Sequence, residues 1–252
     1  FNTHVAGALN PGYPEVREYW LDWVRQSLDS GVDGVALRIA NHSCWCTRGA
    51  DAGFNEPALT EYARRTGASP DPATADLDLI RRINGDFYTR FVRECSALVR
   101  QRSKRLEHFI QPLMDRLADN RINNVPEAFH FDYRQWLREG LLDGVCMRPL
   151  WNGFANMRFG DMIGALARLF DVDMFYANRN GPLNRACVDN TVPAHIGDEI
   201  RHARDSELFD GLVLYEAAGV MGIDEDGRMH TSAELERCIE ENWKPKGKTS
   251  KG

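Results

Sequence analysis

Three stretches of the chain repeat one alternation of polar turn and apolar run: residues Gly31 to Arg38, Leu141 to Arg148 and Leu208 to Tyr215. Each has an Asp-Gly pair followed by a short, nearly all-apolar segment, as expected of a strand buried on both faces of a parallel sheet. Two similar runs, Arg105 to Gln111 and Val172 to Asn178, bring the predicted strands to five. Helical patterns precede or separate them. Between Pro14 and Asp29 the apolar residues Val16, Trp20, Val24 and Leu28 fall four apart, Pro14 suits a first turn and Gly31 lies just past the end. Further stripes are Phe87, Phe91, Cys95, Leu98 and Phe159, Ile163, Leu166, Phe170, with shorter patterns from about Tyr133 to Arg138, Ala194 to Ala203 and Ser232 to Trp243.

Alternating helices and strands predict an α/β fold with a parallel sheet and crossover helices. No glycine-rich phosphate loop follows any strand, which disfavours a nucleotide-binding open sheet and favours a (β/α)8 TIM-barrel type. The 252 residues match the roughly 250 of a complete barrel, yet five strands and two long inter-element segments use them up. The expected fold is therefore an incomplete barrel holding strands four to eight over residues 1–243, followed by a disordered Lys/Gly/Ser-rich tail over 244–252. Such an open sheet exposes an apolar edge and aggregates readily.

With 43% hydrophobic and 27% charged residues and a mean hydropathy of −0.46, the chain has the composition of a globular domain and lacks a membrane span. The last nine residues carry four lysines and no acid, so the net charge of −6 leaves −10 for the rest, a body that repels nucleic acid and anionic membranes. Six scattered cysteines do not make a disulfide scaffold. The chain opens on Phe1 rather than Met, so the lack of a leader segment assigns no compartment.

In a barrel, the segments leaving the strand ends build the site. Arg38, Arg148 and Tyr215 occupy equivalent positions in the three repeats, in phase with Ala36, Cys146 and Val213, and point inward if those small residues face the axis. Either they meet a ligand there or the arginines pair with structural carboxylates. Close by in sequence are Asn41, His42, Trp45, His108, Trp151, Asn178 and Arg179, and hydrogen-bonding groups beside indoles suit sugars. Hydrolysis of a glycosidic bond needs two carboxyl groups across a cleft. Glu216 at the last strand end is the first candidate, with Asp132 or Glu56 as partner; the alternatives are a salt bridge for Glu216 and a helix-end role for Glu56. His42, Cys44 and Cys46 are crowded, but their spacing does not match the usual zinc pairs, and no metal or cofactor is expected. No nucleophile-elbow or zinc-protease motif is present.

Tyr13 to Trp20 followed by Gly31 to Gly34, then Gly53 to Pro57, Phe131 to Trp136, Gly140 to Gly144 and Phe209 to Glu216, resemble in order segments of the glycoside hydrolase family 10-like proteins, a bacterial group of (β/α)8 barrels. The resemblance implies a carbohydrate-active barrel acting on a polysaccharide or cell-wall glycan, with strands four and seven of retaining enzymes carrying the catalytic glutamates. The corresponding segments here, Arg38 to His42 and Tyr176 to Arg179, contain no carboxylate. The leading expectation is a glycoside hydrolase acting on a poly- or oligosaccharide, in which Glu216 works with a loop carboxylate; the runner-up is a barrel that binds glycans without cleaving them, and a lyase or isomerase acting on a small sugar acid, gripped by the inward arginines, is the third reading.

Overall fold

The computed structural model describes residues 9–38, 53–71, 73–110, 130–147, 153–177, 189–214 and 220–243. They form seven helices and seven strands: α1 (Pro14–Asp29), β1 (Gly34–Leu37), α2 (Glu56–Thr66), α3 (Leu77–Gln101), β2 (Arg105–Ile110), α4 (Tyr133–Arg138), β3 (Gly144–Met147), α5 (Gly153–Leu169), β4 (Asp173–Ala177), α6 (Ala194–Asp205), β5 (Gly211–Val213), β6 (Met221–Ile223), β7 (Met229–Thr231) and α7 (Ala233–Asn242). The first five strands make one parallel sheet in the order β1-β2-β3-β4-β5, and β6 and β7 pair as an antiparallel hairpin. Parallel neighbours in sequence order are what helical crossovers produce. No helix among the described residues is long and apolar enough to cross a membrane. The tail over 244–252 lies outside the described residues.

The chain divides into two compact units, Phe1–Gly144 and Val145–Gly252. In the first, α1 occupies the predicted span, but its buried stripe is Arg17, Leu21, Val24 and Leu28 rather than one through Val16 and Trp20. Arg17 is tolerated inside because its guanidinium donates to both oxygens of Glu94, at 3.2 and 3.1 Å, and to the Pro11 carbonyl at 2.8 Å. Helix α3 is longer than its predicted stripe. It starts at the cap Asp76, whose carboxylate accepts from the amides of Asp78 and Leu79. At Gly85 the chain around His130 crosses so closely that an added Cβ would lie 1.9 Å from the His130 carbonyl oxygen. Beyond the crossing, Tyr88, Phe131 and Trp136 pack as a tilted and edge-to-face aromatic cluster, and the Trp136 indole donates to Thr89 at 3.0 Å.

The Asp-Gly repeats do more than turn the chain. Asp143 donates its amide to the Leu106 carbonyl at 2.8 Å, and its Oδ2 accepts from the Leu106 amide at 2.8 Å. In the second unit Asp210 holds Met174 in the same way, at 2.7 and 2.9 Å. Each aspartate thus brackets both peptide groups of the second residue of the preceding strand. The glycines that follow the aspartates permit close approach: a Cβ on Gly34 would meet the Arg105 carbonyl at 2.7 Å, and one on Gly211 the Phe175 ring at 2.9 Å.

In the second unit α6 and α7 pack through Ile196, Ile200 and Leu235. Ser232 caps α7 and donates to the Asn190 side chain at 3.0 Å. The hairpin of β6 and β7, which the apolar patterning does not foretell, turns through Asp224, whose carboxylate accepts from the amides of Asp226 and Arg228. Its cross-strand partners Ile223 and Met229, with Met221, are exposed.

Candidate functional site

Of the residues proposed from sequence, Glu216, Asn41, His42, Trp45, Arg148, Trp151, Asn178, Arg179 and Tyr215 lie outside the described residues. The structure places Glu56, Asp132, Arg38 and His108.

His108 stands on β2 between the buried Leu106 and Ile110 and is itself fully buried. Its Nδ1 donates to the Phe109 carbonyl at 2.9 Å, which leaves Nε2 to accept from the Tyr88 hydroxyl at 3.0 Å. Desolvation dominates the opposing backbone hydrogen bond and pulls its pKa down to about 4. The ring is therefore neutral, with both nitrogens taken internally. Desolvation likewise raises the Tyr88 phenol well above its ordinary range.

Asp132 caps α4: its Oδ1 accepts from the Gln135 amide at 2.9 Å. Its carboxylate is engaged in holding a helix end. Arg38 is half-buried and follows β1 directly; Ala36, with which it is in phase, is exposed, whereas Cys146 in the equivalent position of β3 is buried.

Glu56 opens α2, the helix capped by Asn55, whose side chain accepts from the Ala58 amide at 3.3 Å. Its acidic charge suits the first turn, as anticipated. It also lines an open groove of about 490 Å³ together with Tyr13, Pro57, Thr60, Glu61, Phe87 and Arg90. Three asparagines hold this groove. The Asn84 side chain accepts from Asn10 at 2.8 Å and Asn55 at 3.2 Å, and donates to the carbonyls of Gly53 and Ile80, each at 3.0 Å. One amide in α3 thereby ties together the approach to α1 and the approach to α2. Where the segments converge, Gly12 leaves no room for a Cβ, which would meet Pro57 at 2.8 Å and Phe87 at 2.9 Å.

The charges in the groove are of two kinds. Glu61 receives Arg64 at 2.6 Å and Arg65 at 2.7 Å, and these guanidiniums, Arg64 foremost, hold its pKa down to about 2. It stays ionised and cannot donate a proton near neutrality. Among the described residues no ion pair or side-chain hydrogen bond engages Glu56 or Arg90, both exposed. The arrangement offers two aromatic rings, a carboxylate and a guanidinium to a polar ligand with an apolar face.

Sequence reasoning missed Tyr13, Thr60, Phe87 and Arg90. Phe87 falls in the predicted stripe of α3, yet it is only half-buried: it packs on the α2–α3 cluster and approaches Gly12. Among the described residues no cluster of His, Cys, Asp and Glu could hold a metal ion. No protein-family model matches the chain, and no curated protein matches it.

Proposed function

We propose that the protein is a carbohydrate-active member of the partial-barrel α/β class and that the groove between α1, α2 and α3 grips a saccharide. The observation that carries this reading is the placement of the Tyr13 and Phe87 rings beside the uncommitted Glu56 and Arg90. A pyranose presents C–H faces to rings and hydroxyls to charged hydrogen-bonding groups, and this lining answers both needs. Two findings favour binding over hydrolysis in this groove. Asp132 is committed to a helix cap and Glu61 to two arginines, so among the described residues lining the groove Glu56 is the one carboxylate not engaged, whereas glycosidic cleavage takes a pair about 5–10 Å apart. Glycoside hydrolysis by carboxylate acid/base chemistry is the second reading, resting on the family resemblance.

A glycan array with a parallel release assay tests both. Binding that weakens at least about tenfold in Phe87→Ala and Arg90→Ala supports the groove, since one stacked ring contributes on the order of 1 kcal/mol or more. Loss of release in Glu56→Gln with binding retained establishes hydrolysis; release absent from the wild type leaves the binding function. Failure of every glycan to bind overturns the proposal.

A further inference from the structure

Arg90 stands on α3 between two acids that helical spacing makes its natural partners. Asp86 and Glu94 lie one turn before and one turn after it, at the spacing where opposite charges meet on a helix surface. Both are taken by arginines of other helices. Asp86 receives the Arg65 guanidinium from α2 at 2.7 Å, and the two oxygens of Glu94 accept from Arg17 of α1 at 3.2 and 3.1 Å. Arg17 is buried and also tied to the Pro11 carbonyl, so it does not swing aside to release Glu94.

The third acid beside Arg90, Glu61, is held by Arg64 and Arg65. Of the charged residues lining the groove, this leaves Glu56 and Arg90 to meet a ligand. The two are not equivalent. Glu56 lies in the first turn of α2, where the positive end of the helix dipole answers part of its charge. Arg90 sits about three turns from either end of α3, beyond the reach of any such complement. The groove therefore calls for an anion more strongly than for a cation.

We infer that the saccharide taken by this groove is acidic, a uronate whose carboxylate lies on Arg90. The planar guanidinium fork matches a carboxylate through two parallel hydrogen bonds. Glu56 then accepts from ring hydroxyls, and Tyr13 and Phe87 meet the C–H faces. This assignment rests on the saccharide reading and adds to it the charge of the ligand.

Calorimetric titration with paired probes tests it, using oligomers of glucuronate, galacturonate and mannuronate, each beside its carboxyl-reduced neutral counterpart. At least one acid is expected to bind about tenfold or more tighter than its neutral partner, an advantage that shrinks as salt rises. In Arg90→Gln, which keeps a hydrogen-bonding group and loses the charge, the two members of that pair should bind within about twofold of each other. Arg65→Gln frees Asp86 to pair with Arg90 and should reduce the advantage about threefold while Arg90 is intact. Both arginines are exposed, so neither substitution removes core packing. Equal binding of acid and neutral in every pair, or binding of neutral glycans alone, overturns the uronate and leaves the saccharide reading standing; failure of every glycan to bind overturns both. An advantage that Arg90→Gln leaves unchanged overturns the assignment to Arg90, and one that Arg65→Gln leaves unchanged overturns the role given to the ion pairs.

Discussion

The Tyr88 hydroxyl donates to His108 Nε2 across 3.0 Å in the middle of the first unit, between α3 and β2. This neutral pair makes the fold sensitive to acid. The folded state resists protonating His108 until about pH 4, whereas the unfolded chain takes up the proton near 6.5. Stability conferred by the neutral ring is whole above pH 6.5 and is lost as pH falls toward 4, for a total of about 3 kcal/mol. Urea midpoints measured between pH 7.5 and 4.5 should fall steadily, and His108→Phe should flatten that part of the profile.

Removing the partner isolates the hydrogen bond from the titration. Tyr88→Phe leaves a buried acceptor unpaired and should cost about 1–3 kcal/mol at pH 7.5. Equilibrium denaturation followed by Trp136 fluorescence reads this directly, since the indole lies against both rings.

The crossing at Gly85 tolerates no side chain. The added methyl in Gly85→Ala would run into a backbone carbonyl, which cannot rotate away as a side chain can, so α3 and the chain at His130 must separate. The loss should exceed the 1–3 kcal/mol of ordinary overpacking. A thermal midpoint within a degree or two of the parent protein would contradict this account.

Asn84 serves the groove rather than the core of the sheet. Asn84→Ala removes four hydrogen bonds, two of them to other asparagines, and should destabilise the first unit by about 2–4 kcal/mol. Saccharide affinity should fall further than stability alone explains, because Tyr13 and Glu56 lose their common anchor. Isothermal titration well below the thermal midpoint separates the two effects.

The brackets offer a matched comparison. Asp143→Asn keeps an acceptor but loses its charge, and Asp143→Ala loses both; about 1 and 2 kcal/mol are expected, with Asp210 behaving alike in the second unit. Unequal responses from the two sites in chemical denaturation would show that the repeat is not one device used twice.

Much of the sheet was legible because its signals are local. Pro14 and Gly31 bound α1 correctly, and the Asp-Gly pairs located three strand starts. Legibility failed where a long-range partner decides the outcome. Arg17 replaces Val16 in the buried stripe because Glu94, far along the chain, receives it. His108 looked like a ligand-binding group at a strand end, although its phase with Leu106 and Ile110 was a readable sign that it faces inward. The groove depends on Asn10, Asn55 and Asn84 meeting from three separate segments, which no spacing along the chain announces. The β6–β7 hairpin has strands of three residues each, too short for alternation to register.

That hairpin also gives the protein an internal chemical clock. Met221 and Met229 stand in solvent, whereas Met147 and Met174 are completely enclosed. Mild peroxide should convert the first two to sulfoxides while the fold persists and reach the other two only when the sheet opens. The ratio of the two classes, read by mass spectrometry, would date the storage history of a sample and count its excursions from the folded state.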